Sequence, residues 1–518
     1  MSELQLPKRW STSILADIAD INPTIDKSDF SDDLEVSFVP MNALEELTGR
    51  IDLSETRKFS TVRKGYTPFL EGDVLFAKIT PCMENGKMAV VPALKNGYGF
   101  GSTEFHVLRP FSGINAKYLY YFVSSQGFRY AAEHKMSGAV GQRRVTTTYI
   151  SAQQIPVPPS REQHRIVAKI EELFSELDNG VEALTTAREQ LKAYRQSVLK
   201  YAFEGKLTEK WRARNPDRGQ TQAQMKASIQ SDARKRYAEA IRAWEAKRKV
   251  GHKPGLPTSL EEIDLPDFNE LPPLPGGWSY LAFGALAYSI RNGISKKPNE
   301  DGPLRIFRIS AVRPMAFDMS DYRKIDDEPE YESYRLSRGD VVFTRYNGSR
   351  AYVGVAAEFR GDQEFVYPDK LIRCDVQSRL IDPGYIEKAV NCGASRAFVE
   401  SRIRTTAGQA GISGGDLKVM PVAVCSIEEQ REINRILEEQ LSSIAQLEGD
   451  LESRFSQANA LRQSILKQAF SGQLVAQDPT DEPASVLLQR IRTERVKASA
   501  KKSERKTRKT KQEKETVA

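Results

Sequence analysis

Two kinds of apolar patterning alternate along the chain. Up to about residue 160, apolar residues come in short runs broken by Gly, Pro and Asn, such as Val36-Ser37-Phe38-Val39 and Val74-Leu75-Phe76. That pattern predicts the short strands of an α/β globular unit. Next, Ile166, Ile170, Leu173, Leu177, Leu184, Leu191, Tyr194 and Val198 recur at threes, fours and sevens, which predicts a helix packed lengthwise against another helix. Short runs return after residue 274, and a second stripe follows at Ile433, Leu437, Ile444, Leu447, Leu451, Ala458, Leu461 and Ile465. Each stripe begins near a Glu-Gln pair and ends at Gly205 or Gly472, a usual place for a helix to stop. Forty-odd residues make a helix about 60 Å long, too long for one small core. Each stripe therefore needs a partner helix, and the nearest candidate is the other copy. The stripes alone leave parallel and antiparallel pairing open. Ile170, Leu177, Leu184, Ile444 and Leu451 are the expected packing positions.

The alternation is a true repeat. Arg195-Gln196-Ser197-Val198-Leu199-Lys200-Tyr201-Ala202-Phe203-Glu204-Gly205-Lys206-Leu207 returns 267 residues later, from Arg462 to Leu474, with nine of thirteen positions identical. The same offset relates Gly72-Asp73-Val74-Leu75-Phe76 to Gly339-Asp340-Val341-Val342-Phe343, Gly141-Gln142 to Gly408-Gln409, and Glu162-Gln163 to Glu429-Gln430. Leu6-Pro7 with Trp10 returns as Leu274-Pro275 with Trp278, one residue out of register. The expected organisation is a globular domain at 1–160, a helix at 161–207, a charged helical insert and Pro-rich linker at 208–273, a second globular domain at 274–425, a second helix at 426–474, and a flexible basic tail at 475–518.

The net charge of +7 adds little by itself, because residues 492–518 carry eleven Lys/Arg against four Asp/Glu and leave the remainder near neutral. The tail is a solubilising end or a non-specific phosphate-binding arm. No run reaches the eighteen or so apolar residues of a membrane span, and the N-terminus lacks an apolar signal core. A cytoplasmic protein is expected. Cys82, Cys374, Cys392 and Cys425 form no CxxC pair and lie at no metal-ligand spacing with a histidine, so neither a disulfide framework nor a metal site is expected.

Motifs for chemistry are mostly missing. There is no GxxxxGK[ST] phosphate loop, no GxGxxG turn after a strand, and no Asn/Asp-Pro-Pro-aromatic motif for methyl transfer to a base amine. Asp217 with Glu245-Ala246-Lys247 matches the letters of a metal-dependent nuclease but lies in the charged, strand-poor insert. None of His106, His134, His164 and His252 recurs in the other copy. The chain therefore reads as non-catalytic.

What recurs is a polar loop after a strand. In the first domain it supplies Lys78, with Gln142, Arg143 and Arg144 from a second, glycine-containing loop. The second domain supplies Arg345, Tyr346, Asn347, Arg350 and Gln409 at matching places. Such side chains contact phosphates and hydrogen-bond base edges, so these nine are the candidate DNA-binding residues. A coiled-coil scaffold that binds only protein partners is the alternative.

Val39-Pro40-Met41, Gly65-Tyr66, the segment Gly72 to Lys87 and Gly101-Ser102-Thr103-Glu104-Phe105 closely resemble a target-recognition domain of type I restriction-modification specificity subunits. The doubling and the Glu-Gln to Ala-Phe-x-Gly-x-Leu helices resemble that family's two conserved spacers. The resemblance implies an α+β protein with two α/β target-recognition domains, an antiparallel helical coiled-coil spacer and a pseudo-two-fold internal repeat. It further implies that each domain reads half of a bipartite, asymmetric site on double-stranded DNA. Two methyltransferase subunits and two restriction/translocase subunits are the implied partners. S-adenosylmethionine, ATP and Mg would belong to those partners, with no cofactor in this chain.

Overall fold

The computed structural model describes residues 6–139, 141–246, 248, 253–266, 271–299, 301–361, 364–376, 379–406 and 408–497. It divides into two compact units, Met1–Thr185 with Glu452–Ala518, and Thr186–Leu451. The division cuts through both long helices, Ser160–Phe203 and Ile427–Phe470. Each unit thus holds one globular domain, the start of one helix and the end of the other.

The first domain has two four-stranded sheets. One runs Ala19–Ile21, Phe105–Pro110, Val74–Ala77, Met88–Val90, all antiparallel. The other runs Thr56–Lys58, Glu35–Val39, Tyr98–Gly101, Thr67–Leu70, with its middle pair parallel. The second domain repeats the first sheet as Ala287–Asn292, Leu371–Val376, Val341–Thr344, Ala356–Glu358. It keeps three strands of the other, Tyr322–Ile325, Leu304–Phe307 and Phe365–Val366, again with one parallel pair. Strands such as Val74–Ala77 and Val341–Thr344 are buried throughout, as near-continuous apolar runs require.

The Gly-Asp turn before each central strand is fixed by an ion pair between its buried carboxylate and a half-buried arginine. Arg109 donates to both oxygens of Asp73 at 2.7 and 2.8 Å, and Arg373 Nε donates to Asp340 Oδ2 at 2.7 Å. Asp73 and Asp340 also accept from the backbone N–H of Leu70 and Ser337.

The Glu-Gln signature locks each helix start to its own domain. Gln163 accepts from Asn115 N and donates to Pro158 O, while Gln430 accepts from Asp382 N and donates to Cys425 O. The helix ends cross over. Gly472, at φ +73°, lies against Pro7 so closely that a Cβ would sit 2.3 Å from the proline ring. In the other unit Gly205, at φ +72°, meets Pro275 in the same way, at 2.5 Å. The Leu-Pro-x-x-Trp entry of each domain is thus seated on the helix that follows the other domain.

Pairing is antiparallel within each unit. In the first, Asp178 pairs with Arg462 and Glu162 accepts from Gln477. In the second, Arg195 pairs with Glu448 at 3.3 Å and Arg212 with Glu429 at 2.6 Å. Ile170 and Ile444 are buried, and Leu177, Leu184 and Leu451 half-buried. Tyr194, Leu447 and Leu461, which the stripe includes, are instead about half exposed, at 52, 51 and 50%. A strict four-three alternation puts the neighbours Arg195, Glu448 and Arg462 on the seam, where their stems pack and their charges pair.

The insert helix Gln222–Ala246 docks on the second domain through Met225 and Ile229, and its Arg236 pairs with Asp375 and lies over the Tyr288 ring. Of the stretch read as a basic tail, residues 484–497 are helical, and Leu487, Leu488 and Ile491 are buried in the first unit's core. The rest of that stretch, from 498, lies outside the described residues. Among the described residues no helix is long and apolar enough to cross a membrane.

Candidate nucleic-acid interface

In both domains the central strand exits into the candidate loops. Beyond Val341–Thr344, Arg345 N–H donates to Lys370 O at 2.8 Å, and Arg345 O accepts from Ile412 N–H at 2.9 Å. Its guanidinium donates to Asp369 O at 3.3 Å and lies 4.8 Å from the Tyr346 ring centroid. Tyr346 and Asn347 pair with Gly411 and Ala410 in a small antiparallel sheet. Only glycine fits at 411, since a Cβ there would stand 2.4 Å from the Tyr346 ring. Asn347 Oδ1 accepts from Ser349 N–H at 2.9 Å, which fixes the amide's orientation.

These elements wall a cleft of about 790 Å³. It brings together three sequence candidates, Tyr346, Asn347 and Gln409, with Lys296, Lys297, Arg308, Arg313, Arg323 and Lys370. The last six are absent from the sequence reading. They have no like-charged counterparts at the repeat offset, so a search for recurring residues passes over them. Arg345 acts as an anchor behind the cleft. Arg350 is turned away, donating to Glu400 O at 2.9 Å.

The first domain builds the same loop scaffold with different side chains. Lys78 N–H donates to Glu104 O at 2.9 Å and its Nζ to Thr103 O at 2.6 Å, the counterparts of the two Arg345 bonds. Arg144 makes a two-pronged pair with Glu104 at 2.9 and 2.8 Å, and this hydrogen bond is the main cause holding the Glu104 carboxyl below its usual pKa. The turn between Ser137 and Arg144 presents Gln142 to solvent, with Arg143 half-buried and loosely paired with Glu133 at 3.9 Å. Buried His106 ties this loop down. Its Nε2–H donates to Val145 O at 2.8 Å, leaving Nδ1 to accept from Asn22 at 3.0 Å. Burial lowers its pKa, so the neutral ring is favoured. Recurrence does not mark His106, because the second copy has Arg373 at the same offset.

The candidate nuclease letters stay scattered in chemistry. Asp217 sits in a single 3-10 turn and Glu245 near the end of the insert helix, and among the described residues no three His, Cys, Asp or Glu side chains gather to hold a metal.

Residues 7–186 match the family described as type I restriction modification DNA specificity domain. The type I restriction enzyme EcoKI specificity subunit of Escherichia coli strain K12 is 31% identical over 412 residues, covering 77% of this chain and 76% of that one. The EcoEI specificity subunit of Escherichia coli is 28% identical over 503 residues, 87% of this chain and 80% of that one. A chain solved in work on the "complex assembly and conformational transition of the type I R-M system" has the same fold, with TM-score 0.62 and 17% identity over 90% of this chain and 99% of that chain.

Proposed function

Since this chain belongs to the family of type I restriction enzyme specificity subunits, we propose that it is the non-catalytic DNA-reading subunit of such a complex. Each globular domain reads one half of a bipartite, asymmetric site. The observation that carries this reading is the cleft at the end of the second domain's central sheet. There the amides of Asn347 and Gln409 and the Tyr346 ring stand among arginines and lysines. Amide side chains can hydrogen-bond base edges, and the surrounding cations suit the phosphates on either side.

Catalysis belongs to partners in this account. The helical spacer carries two methyltransferase subunits and, with them, two restriction/translocase subunits, which supply the sites for S-adenosylmethionine, ATP and Mg. The near-identical helix ends Arg195–Leu207 and Arg462–Leu474 support two similar docking surfaces for two copies of one partner. The test is selection of duplexes from a randomised DNA pool by the reconstituted complex with its methyltransferase subunits. One two-part motif with an unread gap is expected. Enrichment of no motif, with assembly intact, would favour a scaffold that binds proteins only.

A further inference from the structure

The two domains share a scaffold but not a charge. The backbone fixes which residues correspond. Ala43 N–H donates to Pro40 O, and Ala311 N–H donates to Arg308 O, both at 3.1 Å. The next contacts along each turn also match, Leu44 with Ile51 and Val312 with Phe317, which equates Glu45 with Arg313. The bonds from Lys78 N–H to Glu104 O and from Arg345 N–H to Lys370 O equate Glu104 with Lys370. At three corresponding places around the candidate loops the first domain thus has Pro40, Glu45 and Glu104, and the second Arg308, Arg313 and Lys370. Thr103, which becomes Asp369, is a change in the opposite sense.

Pairing within each domain deepens the contrast. In the first, Glu104 engages Arg144, and Lys78 is bonded to a loop carbonyl. In the second, Arg308 is half exposed with Asp321 at a loose 3.6 Å. Arg313 lies over the Tyr352 ring, and neither it nor Lys370 has a carboxylate partner among the described residues. The recess beside the same turn in the first domain is lined by Glu45, Glu46 and Asp52 with Arg50 and Lys87. Lys296 of the second cleft is itself paired with Glu328, but a cleft that keeps other cations free releases counterions when it meets the DNA backbone, whereas one whose cations stand among carboxylates releases fewer.

We infer that the second domain supplies most of the affinity for the phosphate backbone and the first only a small share of it, although each reads its own half-site. This rests on the DNA-reading function proposed above.

The experiment measures binding of the full chain with its methyltransferase partner to a random-sequence duplex over a salt series. Replacing Arg308, Arg313 and Lys370 together by Gln should reduce the slope of log affinity against log salt by roughly 2 to 3, at about 0.9 per lost phosphate contact. Replacing Lys78, Lys87 and Arg143 by Gln should reduce it by less than about 1. Equal losses from the two sets, or a larger loss from the first domain, would overturn the asymmetry while leaving DNA binding itself intact. Absence of salt-dependent binding by the unmodified complex would instead remove the reading on which it rests. Exposed Glu45→Lys offers a gain-of-function check that needs no triple variant. It should tighten binding and steepen the slope, and an unchanged slope counts against the inference.

Discussion

Lys78 and Arg345 occupy one structural place, and in both domains that residue bonds the loop carbonyl beside it. Their recurrence was visible in the sequence; their role as loop anchors depends on carbonyls twenty-four or twenty-five residues away, which no local pattern reveals. Asn347 is a sharper candidate for base contact, because its amide is oriented by Ser349 and lines the cleft. Asn347→Ala should weaken discrimination at one half-site by about 1–3 kcal/mol and leave the other unchanged, measured by competition between single-base variants of the site. A second residue-scale consequence concerns Asp340. Burial pushes its carboxyl up to about 6 against the opposing pull of Arg373. A carboxyl raised above its unfolded pKa favours the fold most below that unfolded value, and the benefit is lost as pH rises through the folded one. Relative to Asp340→Asn, the wild type should therefore lose up to roughly 3 kcal/mol of stability between about pH 4 and pH 7. Denaturant melts across that range check it; a constant difference would mean that the Arg373 pair keeps the carboxylate charged throughout.

At the scale of elements, both long helices and their limits were legible from Glu-Gln starts, apolar stripes and terminal glycines, since those signals are local. The seam's detail was not. Leu447 and Leu461 follow apolar spacing yet are half exposed, because charged neighbours that pair across the seam occupy the packed positions. A stripe of apolar letters cannot show that Glu448 will meet Arg195. Ile170→Ala, at a fully buried position, should cost about 2–5 kcal/mol in chemical denaturation, whereas Leu461→Ala should cost below about 1 kcal/mol. The reverse order would reassign the seam. The seating of Gly472 on Pro7 was also beyond sequence reach, since the two residues lie at opposite ends of the chain. So was the burial of Leu487 and Ile491, which composition placed in a basic tail.

For the molecule as a whole, the duplicated design was the most legible property, because one offset governs motifs in both domains and both helices. The six cleft cations were the least legible, for the complementary reason that divergence between copies hides them from a repeat search. Two similar helix ends predict two methyltransferase copies for each chain, which native mass measurement of the methylating complex would check; a single copy would break the symmetry argument. Whether the domains read DNA separately is decided by exchanging residues 274–425 for the corresponding domain of another family member and mapping the methylated motif. One half-site should change and the other persist; a change in both half-sites together, or in neither, would show that the domains are not separate readers.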